Sequence, residues 1–254
     1  MTEQGAKRIA VVGASSGLGR CIGTGLAQRG AKVALLARRK DLLDSAAEEA
    51  GEGTVVAECD VTDEASVESA FEQVVSELGG LDGIVYSTGM GILKKLEDLE
   101  PADWQKVFAT NVIGANQVTR AALPHLQESD GVAIFLSSMS ASLTSPWPGL
   151  GSYTVTKAAM DKLVDAWRNE YPKVGFTRVT VGECGGGEGD ATSQFTTDWD
   201  KDLAGELFPI WTERGLIDFN LMNVEHLIDA VNSVLNVGAT ASIPMIAVTP
   251  RRAI

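Results

Sequence analysis

The chain has 254 residues, 44% of them apolar and 22% charged, which is an ordinary globular composition. Its net charge of -13, from 21 basic and 34 acidic residues, excludes the basic footprint that a nucleic-acid backbone requires. Three scattered cysteines and two histidines offer neither a CxxC pair nor a zinc cluster, so no metal is expected.

No apolar run reaches the roughly 18 residues of a membrane span, and the opening MTEQGAKR lacks a signal-peptide core. The expected location is cytoplasmic. RIAVV, 8–12, ends in glycine and predicts a buried strand. Leu18, Ile22 and Leu26 recur every four positions and mark a helix that Gly30 ends. A strand follows from Val33 to Leu36, then an acidic, alanine-rich helix over 40–50. The third strand covers 54–58. The next helix begins near Asp63, with Thr62 as its expected N-cap and Val67, Phe71, Val74, Val75 and Leu78 on its inner side.

LDGIVYS forms the fourth strand, ending near Ser87. Two helices, 101–109 and 111–125, precede a fifth strand at 132–136. Residues 140–151 are rich in Ser, Pro and Gly and predict a loop, and 152–170 a helix. FTRVTVG is the sixth strand. Residues 182–198 contain GGGEGD and no periodicity, so a loop is expected, followed by an irregular helical lid over 202–214. NVEHLIDAVNSVLNV is the last helix and SIPMIAVTP the last strand.

Short apolar strands alternating with helices predict a parallel sheet buried on both faces. The expected architecture is α/β: a single Rossmann-type, doubly wound domain over 1–254, mostly parallel, with about seven strands and helices on both faces. Ligands belong outside the C-terminal edge of such a sheet, with 185–215 as a substrate loop or lid.

GASSGLG, 13–19, joins the first strand to the first helix. Gly13 permits a tight turn, and Gly17 and Gly19 permit close approach of a ligand, with Ser15, Ser16 and Leu18 between them. Free amides at a helix start attract a pyrophosphate. The spacing is G-x-x-x-G-x-G, and no GK[ST] follows, so a phosphate-binding P-loop is excluded. After the second strand stand Arg38 and Arg39, where a carboxylate would repel a ribose 2′-phosphate and a guanidinium binds it. NADP(H) is therefore favoured over NAD(H), with Arg38 the better placed. Asp60, beside Val61, either accepts the adenine amino group or caps the helix near Asp63.

Tyr153 and Lys157 are four apart on one helix and share a face. A phenol near a reference pKa of about 10 is a poor base, and an adjacent ammonium favours its phenolate. Ser137 and Ser138 end the preceding strand at the same sheet edge, where a hydroxyl can position a substrate oxygen. Asn111 either starts a helix as its N-cap or holds a water that feeds protons toward Lys157.

In sequence order, GASSGLG 13–19, CDVTD 59–63, YSTG 86–89, NVIGA 111–115, GVAIFLSS 131–138 and YTVTK 153–157 resemble the short-chain dehydrogenase/reductase family over roughly 8–182. The resemblance implies Tyr153 as catalytic acid/base. It implies that Lys157 lowers the Tyr153 pKa and binds the nicotinamide ribose, that Ser138 polarises the substrate oxygen, and that Asn111 supports a proton relay. It also implies a homotetramer or homodimer.

The family's N-A-G is Ser87, Thr88 and Gly89 here, and its P-G is Cys184 and Gly185. Ser140 restores the family's usual spacing to Tyr153, whereas Ser138 fits the strand register. Thr192 is a candidate for the family's carboxamide-contacting threonine. The tail lacks the family's V-D-G-G.

The implied function is hydride transfer between NADP(H) and a carbonyl or secondary alcohol. Met90, Leu93, Leu143, Trp147, Phe195, Trp199, Phe208 and Trp211 are candidate pocket walls, pointing to a medium-sized apolar substrate. Glu183, Glu188 and Asp190 disfavour anionic ones. The alternatives are epimerisation or dehydration on the same fold, or a non-catalytic NADP(H)-binding subunit.

Overall fold

The computed structural model describes residues 6–187, 192–217 and 219–251. Its sheet has seven strands in the order β3-β2-β1-β4-β5-β6-β7. They are β1 Arg8–Val12, β2 Lys32–Ala37, β3 Val55–Glu58, β4 Gly83–Tyr86, β5 Val132–Ser138, β6 Gly175–Val181 and β7 Met245–Val248. Every neighbouring pair is parallel. The predicted doubly wound α/β class is borne out.

Strand alternation divides the core in two. Ala10, Val12, Ala133 and Phe135 join the apolar layer on one face, and Ile9, Val11, Ile134 and Leu136 the layer on the other. Helices α1 Gly17–Gln28, α2 Lys40–Ala50 and α9 Val224–Leu235 cover the second face. Helices α3 Glu64–Leu78, α5 Gly114–Glu128 and α7 Gly151–Glu170 cover the first. A third apolar cluster joins Leu93 and Leu150 to Leu207 and Trp211 of α8 Lys201–Glu213.

Two local expectations are corrected. Thr62 is not the cap of α3. Its amide and hydroxyl both donate to Asp60 Oδ1, at 2.9 and 2.7 Å, and this turn leaves Asp63 to cap Ala65 N and Ser66 N. Asn111 is not an N-cap either. Helix α4 Pro101–Phe108 runs into α5 through one π-helical turn, Ala109–Ile113, without a break. The wider turn alters the carbonyl pairing, and the Tyr86 hydroxyl donates to Thr110 O at 2.5 Å. A further short helix, α6 Met139–Ser142, lies inside the predicted 140–151 loop.

Strand order reverses at β1, which lies between β2 and β4. The crevice beyond the C-terminal ends of β1 and β4 is where such sheets bind ligands.

Candidate active site

That crevice opens into a cleft of about 1490 Å³. Its floor is the β1–α1 turn. Gly13 has φ +93°, and an added Cβ would lie 2.7 Å from Thr88 Oγ1 and 2.8 Å from Thr88 N, so only glycine fits. Ser87 takes the place of a side-chain amide by donating its hydroxyl to Val12 O at 2.6 Å. Ser15, Ser16, Gly17, Leu18 and Gly19 line the same floor. The first turn of α1 carries no acidic residue, so the positive end of its dipole is uncompensated.

Arg38 and Arg39 both line the cleft, but Arg39 is the one that reaches the glycine loop. Its Nη2 donates to Ser15 Oγ at 2.8 Å and Ser16 Oγ at 2.7 Å. Burial lowers its pKa, and Arg38 lowers it further. Arg38 itself is exposed. Asp60 and Val61 line the adjoining wall. Burial pushes the Asp60 carboxyl up, but the bonds from Thr62 and the charge of Arg38 outweigh it and hold the group below the usual range.

The opposite wall carries the reactive groups. Tyr153 is partly buried on α7, and Lys157, one turn on, is 3% exposed. Lys157 Nζ donates to Leu136 O at 2.7 Å and lies 5.9 Å from the Tyr153 ring centroid. A Cβ at Gly89 would stand 3.2 Å from that Nζ, so Gly89 lets the ammonium reach the cleft. Burial drives Lys157 down to about 8, while Asp161 pushes it up. Burial also pushes Tyr153 up to about 12, against a downward pull from the Ser138 hydroxyl. The expected lowering of Tyr153 is absent here because loss of solvent outweighs every favourable contact.

Ser138 caps α6, and its Oγ is 3.1 Å from Ser140 Oγ. Ser140 accepts from Thr154 Oγ1 at 3.2 Å, which ties it to α7. Asn111 is fully buried and lies behind the cleft wall. Its Oδ1 accepts from Met90 N and its Nδ2 donates to Met90 O, each at 2.9 Å. Nδ2 also donates to Thr156 Oγ1 at 2.8 Å. Its side chain therefore ties the post-β4 loop to α7 and makes no bond to Lys157.

Cys184 lines the cleft and forms an isolated parallel bridge with Met222. Burial raises its thiol to about 11, so it stays protonated at neutral pH. Gly186, rather than Gly185, lines the cleft. It packs so closely on the glycine loop that an added Cβ would lie 3.2 Å from Leu18 N. Thr192 is exposed and does not line the cleft.

Met90, Leu93, Trp147, Phe195 and Trp199 line the remaining wall. The Phe195 ring meets Tyr153 edge-on, with centroids 4.9 Å apart, and Trp199 Nε1 donates to Gly91 O at 3.2 Å. Phe208 and Trp211 instead pack against each other within α8, with centroids 5.0 Å apart, and Leu143 is 50% exposed. Glu188 and Asp190 lie outside the described residues. Among the described residues, no His, Cys, Asp and Glu cluster suits a metal, and no helix is long and apolar enough to cross a membrane.

The family model for short chain dehydrogenase matches residues 7–200. The chain belongs to the short-chain dehydrogenase family. It is 35% identical over 182 residues to 11-beta-hydroxysteroid dehydrogenase 1A of Arabidopsis thaliana, covering 69% of this chain and 52% of that protein. The chain thus spans about half the length of that relative. A serine dehydrogenase in its closed form with NADP+ superposes with TM-score 0.80 at 25% identity, over 94% of this chain and 93% of that one. A 3-ketoacyl-(acyl-carrier-protein) reductase from Brucella melitensis complexed with NADH shares the fold, with TM-score 0.79 at 23% identity over 96% and 97% of the two chains.

Sequence reasoning did not single out Asp161, which bears on Lys157 from one turn further along α7. Its spacing of four from Lys157 was the available signal.

Proposed function

We propose that the protein is an NADP(H)-dependent oxidoreductase acting on a carbonyl or secondary alcohol, with Tyr153 as general acid/base. The observation that carries this is the convergence of Ser138, Tyr153 and Lys157 on one wall of a cleft whose floor is the glycine loop. The residues present fit the cofactor. The bare end of α1 and the close Gly13 turn suit a pyrophosphate, and Arg39 held over Ser15 and Ser16 suits a 2′-phosphate.

When bound, the nicotinamide supplies or accepts the hydride. Ser138 holds the substrate oxygen through its hydroxyl. Tyr153 gives its phenolic proton to that oxygen in reduction and takes it back in oxidation. Its upward-shifted pKa keeps it protonated at neutral pH, which suits the donor role and carbonyl reduction. Lys157 places its ammonium beside the phenol and offsets the charge of the phenolate. Phe195 and Trp199, with Met90, Leu93 and Trp147, give the cleft an apolar wall that favours a medium-sized apolar substrate. Assembly as a homodimer or homotetramer belongs to the same reading, with Ile113 and Val155, 51% and 45% exposed, as apolar side chains open to such a contact.

The test is a panel of ketones, aldehydes and alcohols with both cofactors, followed through NADPH absorbance. Tyr153→Phe is expected to lower kcat about 10²- to 10⁴-fold while NADPH binding persists. Turnover near wild type in that variant refutes the role.

A further inference from the structure

We propose that Asp161 is a positioning residue, a buried carboxylate that keeps the ammonium charge on Lys157. This rests on the role of Lys157 proposed above and is tested separately from it. Helix α7 places Tyr153, Lys157 and Asp161 at successive four-residue steps, so they form one stripe along one face. Tyr153 stands at the cleft wall. Lys157 and Asp161 behind it are each 3% exposed.

The sheet beneath decides what surrounds them. Ile134 and Leu136 of β5 face the opposite core, so Ser137 faces α7. Val179 and Val181 of β6 also face away, which turns Arg178 and Thr180 toward α7. The groups that act on Asp161 are therefore Ser137 from β5, Arg178 from β6, and Lys157 and Asp165 from its own helix. Burial holds its carboxyl above the usual carboxylate range, against the pull of Ser137, Arg178 and Lys157.

These contacts make a poor structural bridge. Arg178 Nη1 is 3.8 Å from Asp161 Oδ2 and 3.9 Å from Asp165 Oδ2, so it is shared at long range. Neither Asp161 oxygen completes a hydrogen bond among the described residues. A carboxylate buried this way costs the fold free energy and returns little of it locally. Its effect falls instead on Lys157. That ammonium donates to a neutral carbonyl, Leu136 O, and faces the Tyr153 ring and Gly89. Asp161 is the charge that opposes the burial of Lys157. Without it, the ammonium is lost at a lower pH and the phenol stands without a cation.

The experiment is an NMR titration of the full chain carrying lysine labelled with ¹³C at Cε. The Lys157 signal is assigned by its loss in Lys157→Arg. In the wild type the midpoint is expected at about 8. Asp161→Asn is expected to move it down by about one pH unit or more, and Asp161→Glu to restore part of that shift. Equal midpoints in the wild type and Asp161→Asn overturn the proposal. The wild type alone gives a second reading, independent of whether any Asp161 variant folds. Its Lys157 signal shows a smaller inflection as Asp161 takes up a proton at acid pH, and a flat acid limb overturns the proposal as well. Activity of Tyr153→Phe bears on the proposed function and leaves the midpoint comparison standing.

Discussion

Replacing Arg39 with alanine is expected to separate the two nicotinamide cofactors. Arg39 bonds both Ser15 and Ser16 in the glycine loop, whereas Arg38 lines the same cleft without a hydrogen bond to that loop. A hydrogen bond to a charged group contributes about 1.5–3 kcal/mol, and about 1.4 kcal/mol is tenfold. Loss of the guanidinium should therefore lower kcat/KM for NADPH roughly 10- to 150-fold. The variant also releases the two serine hydroxyls, but that change acts on NADPH and NADH alike. The ratio of the two kcat/KM values thus isolates the 2′-phosphate. For exposed Arg38, a surface charge pair worth about 0–1 kcal/mol gives less than roughly fivefold. Steady-state kinetics with both cofactors on wild type, Arg39→Ala and Arg38→Ala reads this directly. An unchanged ratio in Arg39→Ala, or a larger change in Arg38→Ala, refutes the assignment.

Three other outcomes follow from the same geometry. Ser138→Ala should lower kcat about 10²-fold, while Ser140→Ala, which cuts the tie to Thr154, should cost mainly about 1 kcal/mol of stability by chemical denaturation. The reverse ranking moves the substrate contact to Ser140. Carbonyl reduction should decline as pH rises through about 8, because burial depresses Lys157 and the ammonium is lost there. A rate that stays flat to roughly pH 10, the ordinary lysine range, contradicts this. Asp82 accepts from Arg8 Nε at 2.9 Å and Nη2 at 2.7 Å, and these bonds hold its carboxyl below the usual range. Its stabilisation is therefore complete above the unfolded value of about 3.9 and is lost as pH falls through the lower folded value. Asp82→Asn should cost about 1.5–3 kcal/mol at neutral pH, and the gap should begin to narrow below about pH 4 and close only below the folded value. A gap that persists in acid refutes the pairing.

The sheet was legible because each strand is a short apolar run that must be covered on both faces. Helix boundaries were less so. The sequence predicts one helix ending at 109 and another starting at 111, whereas the chain passes through residue 110 without a break. Periodicity alone does not say whether the chain stops or inserts one wide turn, and here it widens. At α3, Thr62 and Asp63 are both competent caps. The choice is made by Asp60, which takes up both Thr62 donors, and that is a contact rather than a propensity.

The site was legible in its members and less so in its electrostatics. Spacing placed Tyr153 and Lys157 on one face, and the structure sets them 5.9 Å apart by ring centroid. Spacing carries no measure of desolvation, however. Burial raises Tyr153 and lowers Lys157, so it favours the uncharged form of both. A phenolate stabilised by an ammonium is therefore not a property of the pair alone. It requires a further charge that holds the proton on the lysine, and the carboxylate of Asp161 stands one turn behind it. The same reasoning explains the arginines. Both arginines line one cleft, and it is Arg39 that bonds Ser15 and Ser16, a contact that residue order does not reveal.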